Sequence, residues 1–190
     1  MSPCLSTAKA VDNFPVRVEH DSNPALCLNH PHEFIPGDVM ARLLISYHSQ
    51  SGSCALLARA ARRGVLEEEG ATITTLRACD TGTADLRQAD GLFLVAAENS
   101  GSLSGGAKDL LDRIFYPAID AGLVMPYVLV ISAGNDGRGA VRQAEKIFSG
   151  IPFSPAMEPM IFRGPVSDKH LVACRELGLG FAAGLGMGIY

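Results

Sequence analysis

What most constrains this chain is a fivefold alternation of short apolar runs with segments of helical period. Leu43-Leu44-Ile45-Ser46-Tyr47, Ala71 to Leu76, Gly91 to Ala96 and Tyr127 to Ile131 have strand length and are rich in aliphatic or β-branched residues. Pro159 to Phe162 predicts a short fifth strand, held to an edge or a strand start because proline cannot donate to a central ladder. The segments between them are amphipathic. Leu57, Ala61, Gly64 and Val65 share one face of a helix expected to run to about Glu69. Ser104 caps a second helix with Ala107, Leu110, Leu111, Ile114 and Phe115 inward, and Pro117 follows. Val141, Ala144, Ile147 and Phe148 mark a third, and the last begins near Ser167 with apolar positions at 171, 174, 178, 181, 182 and 185. Thr83 to Ala89 predicts a short helix. Strands alternating with helices in this way dictate an α/β fold, doubly wound, with a five-stranded, mostly parallel sheet and helices on both faces. The runs at 91–96 and 127–131 are apolar throughout, as strands covered on both sides must be.

Composition narrows the function classes. The chain has 190 residues, which suits one ordinary domain with an appendage. Only 6% of residues are aromatic and none is Trp, so aliphatic side chains must fill the core. The net charge of -4, with no basic run beyond Arg62-Arg63, argues against nucleic-acid and membrane-surface partners. No apolar stretch approaches the roughly 20 residues that span a bilayer, and no signal pattern opens the chain. The five cysteines, at 4, 27, 54, 79 and 174, are odd in number and irregular in spacing. They indicate no disulfide framework and are expected in a reducing, cytoplasmic setting.

Residues 1–39 differ from the rest: prolines interrupt them and no period develops. They carry Lys9 and Arg17 against Asp12, Glu19, Asp21, Glu33 and Asp38, a net of -3, and read as a loosely ordered extension before a domain spanning 40–190. Cys27-Leu28-Asn29-His30-Pro31-His32 offers metal-ligand types but lacks the second ligand pair of a structural zinc site, so no metal is expected.

Ligands of doubly wound sheets bind beyond the C-terminal strand ends, where strand order reverses. Three loops there carry the candidate chemistry. The first, Ser49 to Cys54, joins a strand to a helix start, where unpaired amides and the helix dipole welcome an anion. Its serines at 49, 51 and 53 can donate, and Gly52 allows close backbone approach. It contains no Lys or Arg and lacks the G-K-[ST] of a P-loop; a capped serine turn would look the same. The second loop is Ala97-Glu98-Asn99-Ser100-Gly101-Ser102-Leu103; the third runs from Ser132 through Ala133, Gly134, Asn135 and Asp136 to Gly139. Only four residues lie between Cys54 and Arg59, not five, which excludes the C-x5-R nucleophile of tyrosine phosphatases. His48 reads as an exposed loop histidine, and Arg138 as either a solvated first-turn arginine or a contact to phosphate. The late glycines at 178, 180, 184, 186 and 188 follow no strand, so they read as packing and helix-ending positions.

The stretch Leu44-Ile45-Ser46-Tyr47-His48-Ser49-Gln50-Ser51-Gly52 resembles the phosphate loop of flavodoxins, T/S-x-T/S-G-x-T/S. Ala97 to Pro117 is similar to the P-E-N-x-G-x-x-S-G-x-x-K-x-x-x-D-R-x-x-Y-P region of flavodoxin-like NAD(P)H-dependent oxidoreductases, and 134–147 to the third loop of that group. The resemblance runs from about Arg42 to the C-terminus. It implies a flavodoxin-like fold and non-covalent FMN, with Ser49, Ser51, Gly52, Ser53 and Cys54 on the phosphate. Ala97, Glu98, Asn99, Gly101, Ser102 and Leu103 would line one side of the isoalloxazine through backbone groups, and Ala133, Gly134 and Asp136 would close the other. It also implies NAD(P)H as electron donor and a quinone-like or other small acceptor, with no side chain required as acid, base or nucleophile. A flavodoxin-type electron carrier serving a redox protein, and a flavin-free interaction module, are the alternatives; a homodimer is left open. The sequence departs from the pattern at Cys54, where a hydroxyl residue is usual, at Ala97 in place of Pro, and at Ser100 in place of an aromatic.

Overall fold

A computed structural model describes residues 40–190. The expectations for residues 1–39, including the Cys27–His32 cluster, lie outside the described residues. Chain order is β1 (Ala41–Tyr47), α1 (Ser53–Val65), β2 (Ala71–Arg77), α2 (Thr83–Leu86), β3 (Gly91–Asn99), β4 (Ser102–Leu103), α3 (Gly105–Asp120), β5 (Met125–Ala133), α4 (Arg138–Phe148), β6 (Phe153–Pro155), β7 (Met160–Arg163) and α5 (Asp168–Gly186). The main sheet is parallel in the order β2-β1-β3-β5, and β6 and β7 pair in succession with the free edge of β5 to fill a fifth position. The expected fold class is the one observed.

Alternation along the strands divides the core. Leu43, Ile45, Phe93, Val95, Val128 and Val130 face α1 and α5. Leu44, Leu92, Leu94, Leu129 and Ile131 face α2, α3 and α4. Each such residue is almost wholly removed from water, which stabilises the fold by roughly 2 kcal/mol per large side chain. The expected inward faces of the helices are the buried ones, apart from Phe115, Val141, Ile147, Leu171 and Leu185, which are half-buried at the edges of the core.

Four element details differ from the sequence expectation. α1 stops at Val65, before Glu67-Glu68-Glu69; three carboxylates at the negative end of a helix dipole oppose its continuation. α3 continues through Pro117 to Asp120, because the fully buried Ala118 holds its last turn on the sheet. β3 extends past Ala96 to Asn99 and folds back as a hairpin into β4, through Ser100 (φ 50) and Gly101 (φ 76). Positive φ at both central residues is the type I′ geometry that suits a two-residue hairpin. β6 has no sequence signal, since Phe153-Ser154-Pro155 is too short to show a period.

α1 and α5 approach closely across two glycines. A Cβ on Gly178 would collide with the Ala61 carbonyl oxygen, and one on Gly64 with that of Arg175. Both obstacles are backbone and cannot swing aside. Gly178→Ala is therefore expected to destabilise the fold by about 1–3 kcal/mol, measured by urea unfolding; wild-type stability would show that the helices can part without penalty.

Candidate functional site

The strand ends bring four loops together around a cleft of about 550 Å³. Its lining includes Ser49, Ser51, Ser53 and Cys54 from the first loop, Ala97, Glu98 and Asn99 from the second, and Ala133 and Gly134 from the third. Gly52 sits in the first loop at φ 91, the left-handed conformation that only glycine adopts freely, and forms the N-cap of α1. Leu56 N–H makes the first bond back into the helix, to Gly52 O at 3.0 Å, so the amides of residues 53–55 precede it. The Ser51 hydroxyl donates to Ser53 Oγ at 3.3 Å. Ser49 Oγ is buried and has no partner.

The remaining expected residues are placed differently. Gly101 and Ser102 are exposed at the hairpin, and Leu103 is buried in the core beneath α3 and α4. Asp136 accepts the Arg138 N–H at 3.0 Å at the start of α4. None of these four lines the cleft.

The cleft also uses residues to which the sequence assigned no ligand role. Gln50 Oε1 accepts from Asn99 Nδ2 at 3.1 Å and ties the first loop to the second. Ser132 adds to one wall, and Gly164 and Pro165, after β7, add a fourth loop; Gly164 N–H donates to Ala133 O at 2.8 Å. His48 is half-buried rather than exposed. Its Nδ1 lies 3.0 Å from the buried Ser104 hydroxyl, and its ring packs on the α3 backbone at Gly106. Burial, and then the Arg77 guanidinium nearby, hold this imidazole below the usual histidine value, so it is neutral at pH 7. The signal for it was present but long-range: the partner of His48 is 56 residues away.

No protein-family model matches the sequence, and no curated protein sequence matches it. Solved structures do match in architecture. A flavodoxin from the domain Archaea superposes with a TM-score of 0.67 at 16% identity, over 76% of this chain and 98% of that one. A WrbA-like flavodoxin from Agrobacterium tumefaciens gives 0.64 at 15% identity, over 77% and 98%. A flavodiiron core from Synechocystis gives 0.66 at 20% identity, over 79% of this chain and 37% of that one. The chain has the flavodoxin fold.

Within that fold, the charge and reactivity of the cleft follow from burial. No Lys or Arg is among its lining residues. Glu98 Oε2 accepts the Gly137 N–H at 3.1 Å, at the N-cap of α4, while its Oε1 is buried without a partner. The Cys54 thiol is 2% exposed, and burial pushes it up to about 12 against a small opposing contribution from the Ser132 backbone. Cys174 on α5 is pushed to the same value by burial and donates to Leu57 O at 3.3 Å. Both are protonated at neutral pH, which removes Cys54 as a nucleophile. Among the described residues no group of His, Cys, Asp and Glu could hold a metal, and no helix is long and apolar enough to cross a membrane. Alkylation of the native protein at pH 8 should therefore label the exposed Cys79 and spare Cys54 and Cys174, read by peptide mass mapping. Rapid labelling of Cys54 would contradict its buried, protonated state.

Proposed function

We propose that the cleft holds FMN and that the protein is an FMN-dependent oxidoreductase, passing electrons from NAD(P)H to a quinone-like or other small acceptor. The observation that carries this reading is the Ser49 hydroxyl: buried, partnerless and set in the wall of the cleft beside the start of α1. Leaving such a group unsatisfied costs about 1–3 kcal/mol, and a phosphate oxygen would satisfy it. The rest of the site fits the same group. Three serine hydroxyls and the first amides of α1 suit a phosphate without any cation, because the helix dipole already favours negative charge there. Between the second and third loops the walls are small: Ala97, Asn99, Ala133 and Gly134 leave room for a flat ring.

In this assignment Ser49, Ser51, Gly52, Ser53 and Cys54 surround the phosphate, and Ala97 to Asn99 and Ala133 to Gly134 flank the ring. FMN bound there supplies one- and two-electron transfer between donor and acceptor. The chain's own residues bind and orient. Gln50 and Asn99 fix the spacing of the first two loops, Glu98 fixes the second against α4, and His48 stays neutral beneath α3. No general acid, base or nucleophile is needed from the protein.

The purified protein is expected to carry flavin, seen by absorbance and mass spectrometry, and to bleach when NADH or NADPH is added without oxygen, with turnover when a quinone follows. A colourless protein that ignores added FMN would sink the flavin reading. A yellow protein that neither nucleotide bleaches would instead be an electron carrier. Ser49→Ala removes a hydroxyl that has no partner without ligand. It should therefore weaken FMN binding by about 10- to 100-fold, the range for a hydrogen bond to a charged group, while leaving the melting temperature of the flavin-free protein unchanged or higher. Equal FMN affinity by fluorescence quenching would remove Ser49 from the phosphate.

A further inference from the structure

We infer that Gln143, on α4 and given no role by the sequence resemblance, is a positioning residue that sets the ring side of the cleft by clasping the β3–β4 hairpin. This rests on the FMN reading above. Three contacts make the clasp. Gln143 Oε1 accepts the Leu103 N–H at 2.8 Å, just where the hairpin turns into α3. Glu98 Oε2 accepts the Gly137 N–H from the opposite direction, at 3.1 Å. Between them Gly139 lies so close to the hairpin that a Cβ there would collide with the Gly101 carbonyl oxygen.

The consequence is geometric. Glu98 and Asn99 line one wall of the cleft and belong to the hairpin; Ala133 and Gly134 line another and lead directly into α4. With α4 bonded to the hairpin at both ends of the contact, the two walls move as one unit. Their separation is the width available to a flat ring. The hairpin's own closure, Ser104 N–H to Ala97 O at 2.8 Å, fixes its shape but not its distance from the third loop. The β3–β5 ladder sets that distance at the base of the cleft, where Ala97 lies beside Ser132; beyond the ladder it falls to Gln143 and Glu98. An apolar side chain at 143 removes the acceptor of this part-buried N–H and lets the hairpin lift. The phosphate side is built on the first loop and α1 and meets the hairpin through the Gln50–Asn99 side-chain bond.

Riboflavin, which has the ring and no phosphate, and FMN separate the two sides. Both dissociation constants would be measured by fluorescence quenching of the intact flavin-free protein, well below its melting temperature. Gln143→Leu is expected to weaken riboflavin and FMN in parallel, by about tenfold, so that their ratio is kept. Gln143→Glu retains an acceptor oxygen for Leu103 N–H and should bind both ligands within about threefold of wild type. Gly139→Ala, which wedges the clasp apart, should resemble Gln143→Leu. The inference is overturned if folded Gln143→Leu binds riboflavin like wild type, or if the Glu variant loses as much as the Leu variant. A lowered melting temperature with unchanged affinities would likewise make Gln143 merely structural. Wild-type protein that binds neither ligand would overturn the FMN reading itself, which unchanged affinities in the variant leave intact.

Discussion

The cleft exists because the chain reverses its direction of travel across the sheet between β1 and β3. From β1 the connection through α1 runs to β2, on one side and over one face. From β3 the connection through α3 runs to β5, on the other side and over the opposite face. Right-handed crossovers leave no other arrangement for parallel strands. The loops after β1 and β3 must therefore part, and the gap between them is where side chains and unpaired helix amides meet solvent. Everything chemical in this molecule is a consequence of that divergence.

The gap is useful only because its walls are held. β1, β3 and β5 are buried on both faces; the first three loops spring directly from their ends, and the fourth follows β7 beside β5. The loops are then bonded to one another: Gln50 to Asn99, Glu98 to Gly137, Gly164 to Ala133. The polar groups left over are few, and they sit where a ligand would be. Ser49 Oγ and Glu98 Oε1 are two of the three buried side-chain oxygens without a partner among the described residues. No lysine or arginine lines the cleft, so in the proposed reading the phosphate enters at the helix start, where dipoles rather than cations meet it.

Much of this was legible because it is local. Strand and helix identities follow from runs and periods that need no knowledge of the partner strand. The first loop declares itself because Ser49-Gln50-Ser51-Gly52-Ser53 combines small donors with a glycine at the one position that takes φ 91. What stayed hidden depends on pairing at a distance. β6 is a strand only because Met125 to Tyr127 lie beside it. Leu103 falls within a motif that resembles a flavin loop, yet alternation along the hairpin turns its side chain into the core. Gly164 and Pro165 reach the cleft only because β7 pairs with the end of β5. Gln143 looks like any polar residue on an amphipathic helix until its acceptor oxygen is found against a backbone amide 40 residues earlier.

The central claim is that one cleft, made by these loops, receives the phosphate on Ser49 to Cys54 and the ring between the second and third loops. Titration of ¹⁵N-labelled protein with FMN tests it residue by residue. The account predicts saturable shifts concentrated at the amides of residues 49–54, with a second set at 97–101 and 132–136, and little change elsewhere. The absence of saturable shifts, or shifts that gather on the outer faces of α1 and α5 while residues 49–54 stay still, would contradict it.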